Sequence, residues 1–100
     1  MTRVEFERKV AEDSNSSYRS AREWTQTVLD SLADAIITEK NLDLYGFGSF
    51  EHIPRKAKVG RNASTGERID IPAHMGVKFR PGKKIREAVA EEVVPEDTKD

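Results

Sequence analysis

The sequence predicts a small α+β domain in which a helical body carries a projecting antiparallel ribbon. Three observations predict it. Apolar residues recur at helical spacing as far as Ile37, and strand-like alternation punctuated by glycine takes over from Leu42. The charge is also sorted by segment: residues 1–50 carry 6 Lys/Arg against 9 Asp/Glu, residues 51–86 carry 10 against 3, and residues 87–100 carry 1 against 6. The net charge of −1 therefore hides a strongly positive middle. A polyanion responds to that local field and not to the total. Surfaces that only solvate a fold usually mix both signs, so this segment points to a large anionic partner.

At 100 residues, the chain suits one domain with a modest core that a second copy can complete. The absence of cysteine removes disulfides, thiolate metal sites and a cysteine nucleophile together, and fits a reducing cytoplasm. No apolar run approaches the ~20 residues needed to cross a bilayer, and Met1-Thr2-Arg3-Val4-Glu5 lacks a signal-peptide core. The expected location is cytoplasmic, with no membrane partner.

Thr2 to Glu5 has the form of a capping box, a hydroxyl at the cap and a carboxylate three residues on. Val4, Phe6, Val10 and Ala11 give the helix that follows a partial apolar face. Asp13-Ser14-Asn15-Ser16-Ser17 breaks it, because these side chains compete with the helical backbone for hydrogen bonds. The second helix has the cleaner period: Ala21, Trp24, Val28, Leu32, Ala35 and Ile36 share one face, widened by Leu29 and Ile37. That stripe exceeds what one short neighbour covers and predicts a dimer seam. Glu39-Lys40-Asn41 ends the helix.

Leu42, Leu44, Phe47 and Phe50 around Gly46 and Gly48 predict a strand, a tight turn and a second strand with its aromatics turned inward. Pro54 marks an edge or bend where the ribbon leaves the body. Arg55 to Arg61 has almost no apolar bulk, and Gly60 to Gly66 is turn chemistry. A return strand follows, with Ile69 and Ile71 alternating against Arg68 and Asp70, and Val77 and Phe79 re-enter the core. After the turn at Arg80-Pro81-Gly82, a short helix runs from Lys83 to about Glu92, with Ile85 and Val89 facing inward. Residues 93–100 read as an acidic, frayed tail.

Taken together, Gly46-Phe47-Gly48-Ser49-Phe50, Arg61-Asn62, Thr65-Gly66-Glu67 and Phe79-Arg80-Pro81-Gly82-Lys83 resemble the bacterial HU/IHF family of DNA-bending proteins. The likeness covers nearly the whole chain and is strongest from Gly46 to Val89. It implies one domain over 1–92: a helical dimerisation base at 1–41, a three-stranded antiparallel sheet with its arm at 42–81, and a helix at 83–92. It also implies an intertwined dimer whose two arms enter the minor groove of double-stranded DNA, in a nucleoid-associated, histone-like role. Arg55, Lys58, Arg61, Asn62 and position 63 match the family's arm contacts. Lys83 and Arg86 match its body contacts, with Arg3 beside them near the first helix; Lys56 and Arg68 add charge along the arm. Trp24, Val28, Leu32, Phe47, Phe50 and Phe79 are the expected dimer core. A homodimer is the expected state, and a heterodimer with a related chain stays open.

The tip departs from the family pattern, with Ala63 where the family places a proline that wedges between base pairs. Alanine should wedge less well, so bending should be blunter. An enzyme is disfavoured: His52 and His74 lack metal-ligand spacing, and no nucleophile motif or phosphate-cradling loop is present. No cofactor, metal or small-molecule substrate is expected. The rival function is a protein-interaction module that pairs with or modulates another family member. Single-stranded binding is disfavoured because Arg55 to Arg68 offers no aromatic platform.

Overall fold

A computed structural model describes residues 1–95. The chain divides into two compact units, Met1–Thr38 and Glu39 onward. The first is a helical hairpin, α1 (Arg3–Ser14) and α2 (Tyr18–Thr38). Thr2 caps α1: its hydroxyl accepts from the Glu5 amide at 3.3 Å and donates to the Glu5 carboxylate at 3.2 Å. The helix ends at Asn15, which takes the left-handed conformation (φ 52°) that a short polar side chain tolerates. Ser17 then caps α2, accepting from the Ser20 amide at 3.1 Å.

The buried residues of this hairpin are not the large apolar ones. Ala21, Thr25 and Glu7 are buried, whereas Val4, Phe6, Trp24, Val28 and Ile37 are exposed. The partial face expected of Val4 and Phe6 is thus uncovered, and Ala21 alone makes up the buried apolar set. Glu7, 3% exposed, accepts from Tyr18 Oη at 3.1 Å and from Arg3 Nε at 3.3 Å, which satisfies a carboxylate that would otherwise be costly to bury. Arg3 also donates to Gln26, which donates to Asp30 at 2.7 Å.

The second unit contains β1 (Asn41–Leu44), β2 (Gly48–Arg55), β3 (Lys58–Arg61), β4 (Arg68–Ile71), β5 (His74–Pro81) and α3 (Lys83–Ala90). β1, β2 and β5 form an antiparallel sheet with β2 in the centre, and β3 pairs with β4 as a separate two-stranded ladder. The register sorts the three-stranded sheet into two faces. Leu42, Leu44, Phe50, His52, Val77 and Phe79 share one; Asp43, Glu51, Arg55, Lys78 and Arg80 share the other. On the apolar face Phe79 stacks obliquely on Phe50 and Phe47, with ring centroids 4.8 and 5.6 Å apart. Gly48 lets the strands close over that cluster, because a Cβ there would lie 2.6 Å from the Arg80 carbonyl oxygen and 2.7 Å from the Phe79 ring.

Two expectations need correction. The ribbon is not one continuous ladder: pairing stops at Arg55↔His74 and resumes at Lys58↔Ile71, leaving Lys56-Ala57 opposite Pro72-Ala73. Pro72 has no amide hydrogen to donate, so it supplies no bond to the ladder at the interruption. The last helix also ends at Ala90 instead of near Glu92, and Val89 on its expected inner face is exposed. The expectation of a frayed tail falls mainly on residues 96–100, which lie outside the described residues.

Candidate nucleic-acid interface

Asn62 makes most of the bonds that hold the tip, and Thr65 Oγ1 adds one by accepting from the Glu67 amide at 3.3 Å. Asn62 Oδ1 accepts from the amides of Ser64 (2.8 Å) and Thr65 (3.3 Å), while its backbone N–H donates to Glu67 O and its C=O accepts from Gly66 N, both at 2.8 Å. This is an Asx turn nested in the hairpin loop. Gly66 closes it at φ 75°, where a side chain would be strained. Asn62 therefore builds the tip as well as standing at it. Ala63 is exposed at the apex, and its N–H takes no part in the loop's hydrogen bonds.

Arg61 and Arg68 are directly paired across the β3–β4 ladder. Like charges so placed repel, and each guanidinium turns to an acceptor of its own: Arg61 to the Gly66 carbonyl at 3.2 Å, Arg68 to Asp70 at 3.2 Å. Arg68, expected to add charge to the arm, is thus largely compensated. Lys58 lies on the other face of the ladder, with Gly60, Ile69 and Ile71. Lys56 falls in the gap between the two ladders. Arg55 sits at the root of the arm, its side chain across Gly76, where a Cβ would meet its Nε at 2.9 Å. Arg55, Lys56, Lys58 and Arg61 form no ion pair among the described residues.

At the other end of the β2–β5 ladder, Gly82 caps α3 and its amide donates to the Phe47 carbonyl at 2.8 Å. That bond fixes the first turn of α3, which carries Lys83, Lys84 and Arg86, beside the β1–β2 turn. Lys83 pairs weakly with Glu87 at 4.0 Å. The structure adds Lys78 and Arg80, which stand with Arg55 on the polar face of the sheet. Arg80 is paired with Glu51 at 2.7 Å, and Lys78 has no ion pair among the described residues. Their shared parity with His74 and Gly76 was the available signal, readable only once the register is known. Arg3 belongs to the helical unit, where its guanidinium is on Glu7 and Gln26.

Among the described residues no group of three His, Asp or Glu could hold a metal ion, and no helix is long and apolar enough to cross a membrane.

Residues 1–90 match the family model described as bacterial DNA-binding protein. DNA-binding protein HU 1 of Bacillus subtilis is 41% identical over 90 residues, spanning 90% of this chain and 98% of the relative. An Anabaena HU–DNA cocrystal structure superposes with TM-score 0.75 at 36% identity, over 92% of this chain and 100% of that one. An HU mutant from Thermotoga maritima shares the fold at TM-score 0.61 and 24% identity, over 89% of this chain and 99% of that one.

Proposed function

This chain belongs to the bacterial DNA-binding protein family that includes HU, and on that premise we propose that it is a non-enzymatic architectural protein that binds double-stranded DNA. The observation that carries the reading is the arm: four cations, Arg55, Lys56, Lys58 and Arg61, have no ion-pair partner among the described residues, and one of them, Arg61, directly opposes Arg68 across the β3–β4 ladder. An arm that repels itself is relieved by an external anion. Phosphates supply it at regular spacing, and the counterions they release drive binding without base readout.

The finer reading follows the same chemistry. A two-stranded ribbon is narrow enough for the minor groove, whose hydrogen-bonding code is degenerate, so selectivity comes from DNA shape and deformability. Two arms require two chains. The exposed Trp24, Val28, Phe47 and Phe79 are the groups a second copy would cover, and a homodimer is the simplest way to cover them. Ala63 offers a single methyl at the apex, little to set against the few kcal/mol that unstacking a base step costs. The dimer therefore binds and coats DNA while kinking it less sharply than a proline-tipped arm would.

Fluorescence anisotropy on a short duplex across a salt series tests this, with a donor–acceptor pair at the duplex ends reporting the bend. Steep salt dependence with a shallow bend is expected. Absence of binding at low salt would overturn the proposal in favour of a module that pairs with another family member.

A further inference from the structure

We propose, resting on the DNA-binding reading, that Tyr45 and the lysines that open α3 form a stacking subsite for a single unpaired nucleotide. The turn between β1 and β2 holds Tyr45 outward. The Phe47 amide donates to the Leu44 carbonyl at 2.9 Å, and Gly46 takes φ 84°, the left-handed conformation that a type II turn requires at its third residue. Tyr45, the second residue of that turn, is 103% exposed, more than any other large apolar side chain among the described residues. A Cβ built on Gly46 would meet nothing within 4 Å, so the turn is open on that side.

The turn and the helix are tied at one point. The Gly82 amide donates to the Phe47 carbonyl at 2.8 Å, an approach so close that a Cβ on Gly82 would lie 2.9 Å from that oxygen. Gly82 also caps α3, so the ring and the first lysines of the helix share a fixed frame. Tyr45, Gly46, Gly82, Lys83, Lys84 and Glu87 line one open cleft of about 580 Å³. That lies within the range of about 300–1,000 Å³ usual for small-ligand sites.

Charge decides the occupant. Glu87 stands 4.0 Å from Lys83, which leaves Lys84 without an ion pair among the described residues. A second protein surface matches such a cleft poorly, because the centres of protein interfaces are depleted of Lys and Glu. A nucleotide matches both parts: its base offers a π-face to the ring, and its phosphate offers an anion to the lysines. In intact duplex every base is already stacked between its neighbours, so the subsite takes a base that the helix has released, as at a bulge. Arg55 to Arg68 holds no aromatic residue, and Tyr45 supplies one from the opposite end of the β2–β5 ladder.

The experiment uses three duplexes of one sequence: intact, with a single bulged adenosine, and with a bulged abasic residue in its place. Anisotropy gives the affinity of the full chain, Tyr45→Ala and Tyr45→Phe for each. The native protein should bind the adenosine bulge roughly fivefold to tenfold more tightly than the abasic one, the size of one base–aromatic stack. Deformability alone predicts no such preference, since the abasic bulge is at least as flexible. Tyr45→Phe should keep the ratio and Tyr45→Ala should bring it to about one. Lys84→Ala should weaken both bulged complexes alike and lower the log–log salt slope by roughly 0.9. A native ratio near one, a ratio unchanged in Tyr45→Ala, or a slope unchanged in Lys84→Ala overturns the inference. So does a shift of the monomer–dimer equilibrium in Tyr45→Ala, which would make the ring a contact with a second copy. Absence of binding to all three duplexes would overturn the DNA-binding reading, and this inference with it.

Discussion

Arg61 and Arg68 show how little a residue's identity says about its availability. Both are arginines on the arm, directly opposed, yet one leans on a neutral carbonyl and the other on a carboxylate. Arg61→Ala should weaken duplex binding several-fold and lower the salt slope by about one. Arg68→Ala should do less on both counts; equal losses in parallel titrations would show that the Asp70 pair does not compensate Arg68. Asn62 has a structural duty too. Asn62→Ala removes the acceptor for two amides, and amide hydrogen exchange at Ser64 and Thr65 should quicken while the rest of the chain keeps its protection. At Ala63 the structure accommodates the test of the blunted wedge, because proline there forfeits no hydrogen bond of the loop and suits the position after the first residue of a turn. Ala63→Pro should sharpen the bend seen by energy transfer, and a native protein that already bends DNA as sharply as the variant would refute that role for alanine.

The second unit's strands are organised around two close approaches. Gly48 admits the Phe79 ring and the Arg80 carbonyl, and Gly76 admits the stem of Arg55. Gly48→Ala forces a methyl into contacts of 2.6–2.9 Å, two of them to a packed ring, and should lower stability by about 1–3 kcal/mol, read as a drop in Tm. Gly76→Val would instead leave the fold near its native stability and push Arg55 off the strand, so DNA affinity should fall while Tm moves little. The interruption at Lys56-Ala57 and Pro72-Ala73 belongs to the same scale. Between the two ladders Lys56-Ala57 and Pro72-Ala73 make no strand pairs, so the β3–β4 hairpin is joined to the sheet there by the two chain segments without ladder bonds.

For the molecule as a whole, the central fact is how much apolar surface one chain leaves uncovered. Trp24 is 50% exposed, Val28 62% and Phe79 39%, and no large side chain is fully buried among the described residues. Covering a Val, Leu or Phe side chain contributes about 1.5–3 kcal/mol, so half a dozen such groups amount to on the order of 10 kcal/mol, the size of a domain's entire stability. A lone chain should therefore be marginal. Sedimentation should give a dimer at micromolar concentration, Tm should rise with protein concentration, and Val28→Asp should yield unfolded or monomeric protein that no longer grips duplex.

Much of this was legible from residue types alone. The helical stripe from Ala21 to Ile36, the glycine-flanked aromatics from Gly46 to Phe50 and the basic run from Arg55 to Arg61 fix an α+β chain with a cationic ribbon, because periodicity, turn chemistry and charge are local properties. The family motifs, spaced along the chain, narrowed the function further. What only the tertiary structure decided are relations between residues distant in sequence. Strand register put Lys78 and Arg80 beside Arg55, matched Arg61 with Arg68, and set Pro72 opposite the stretch where pairing fails. Packing turned Arg3 onto Glu7 and Gln26, and gave Arg80 to Glu51. Charge is written in the sequence, but whether a charge is free depends on which neighbour the fold brings within about 4 Å.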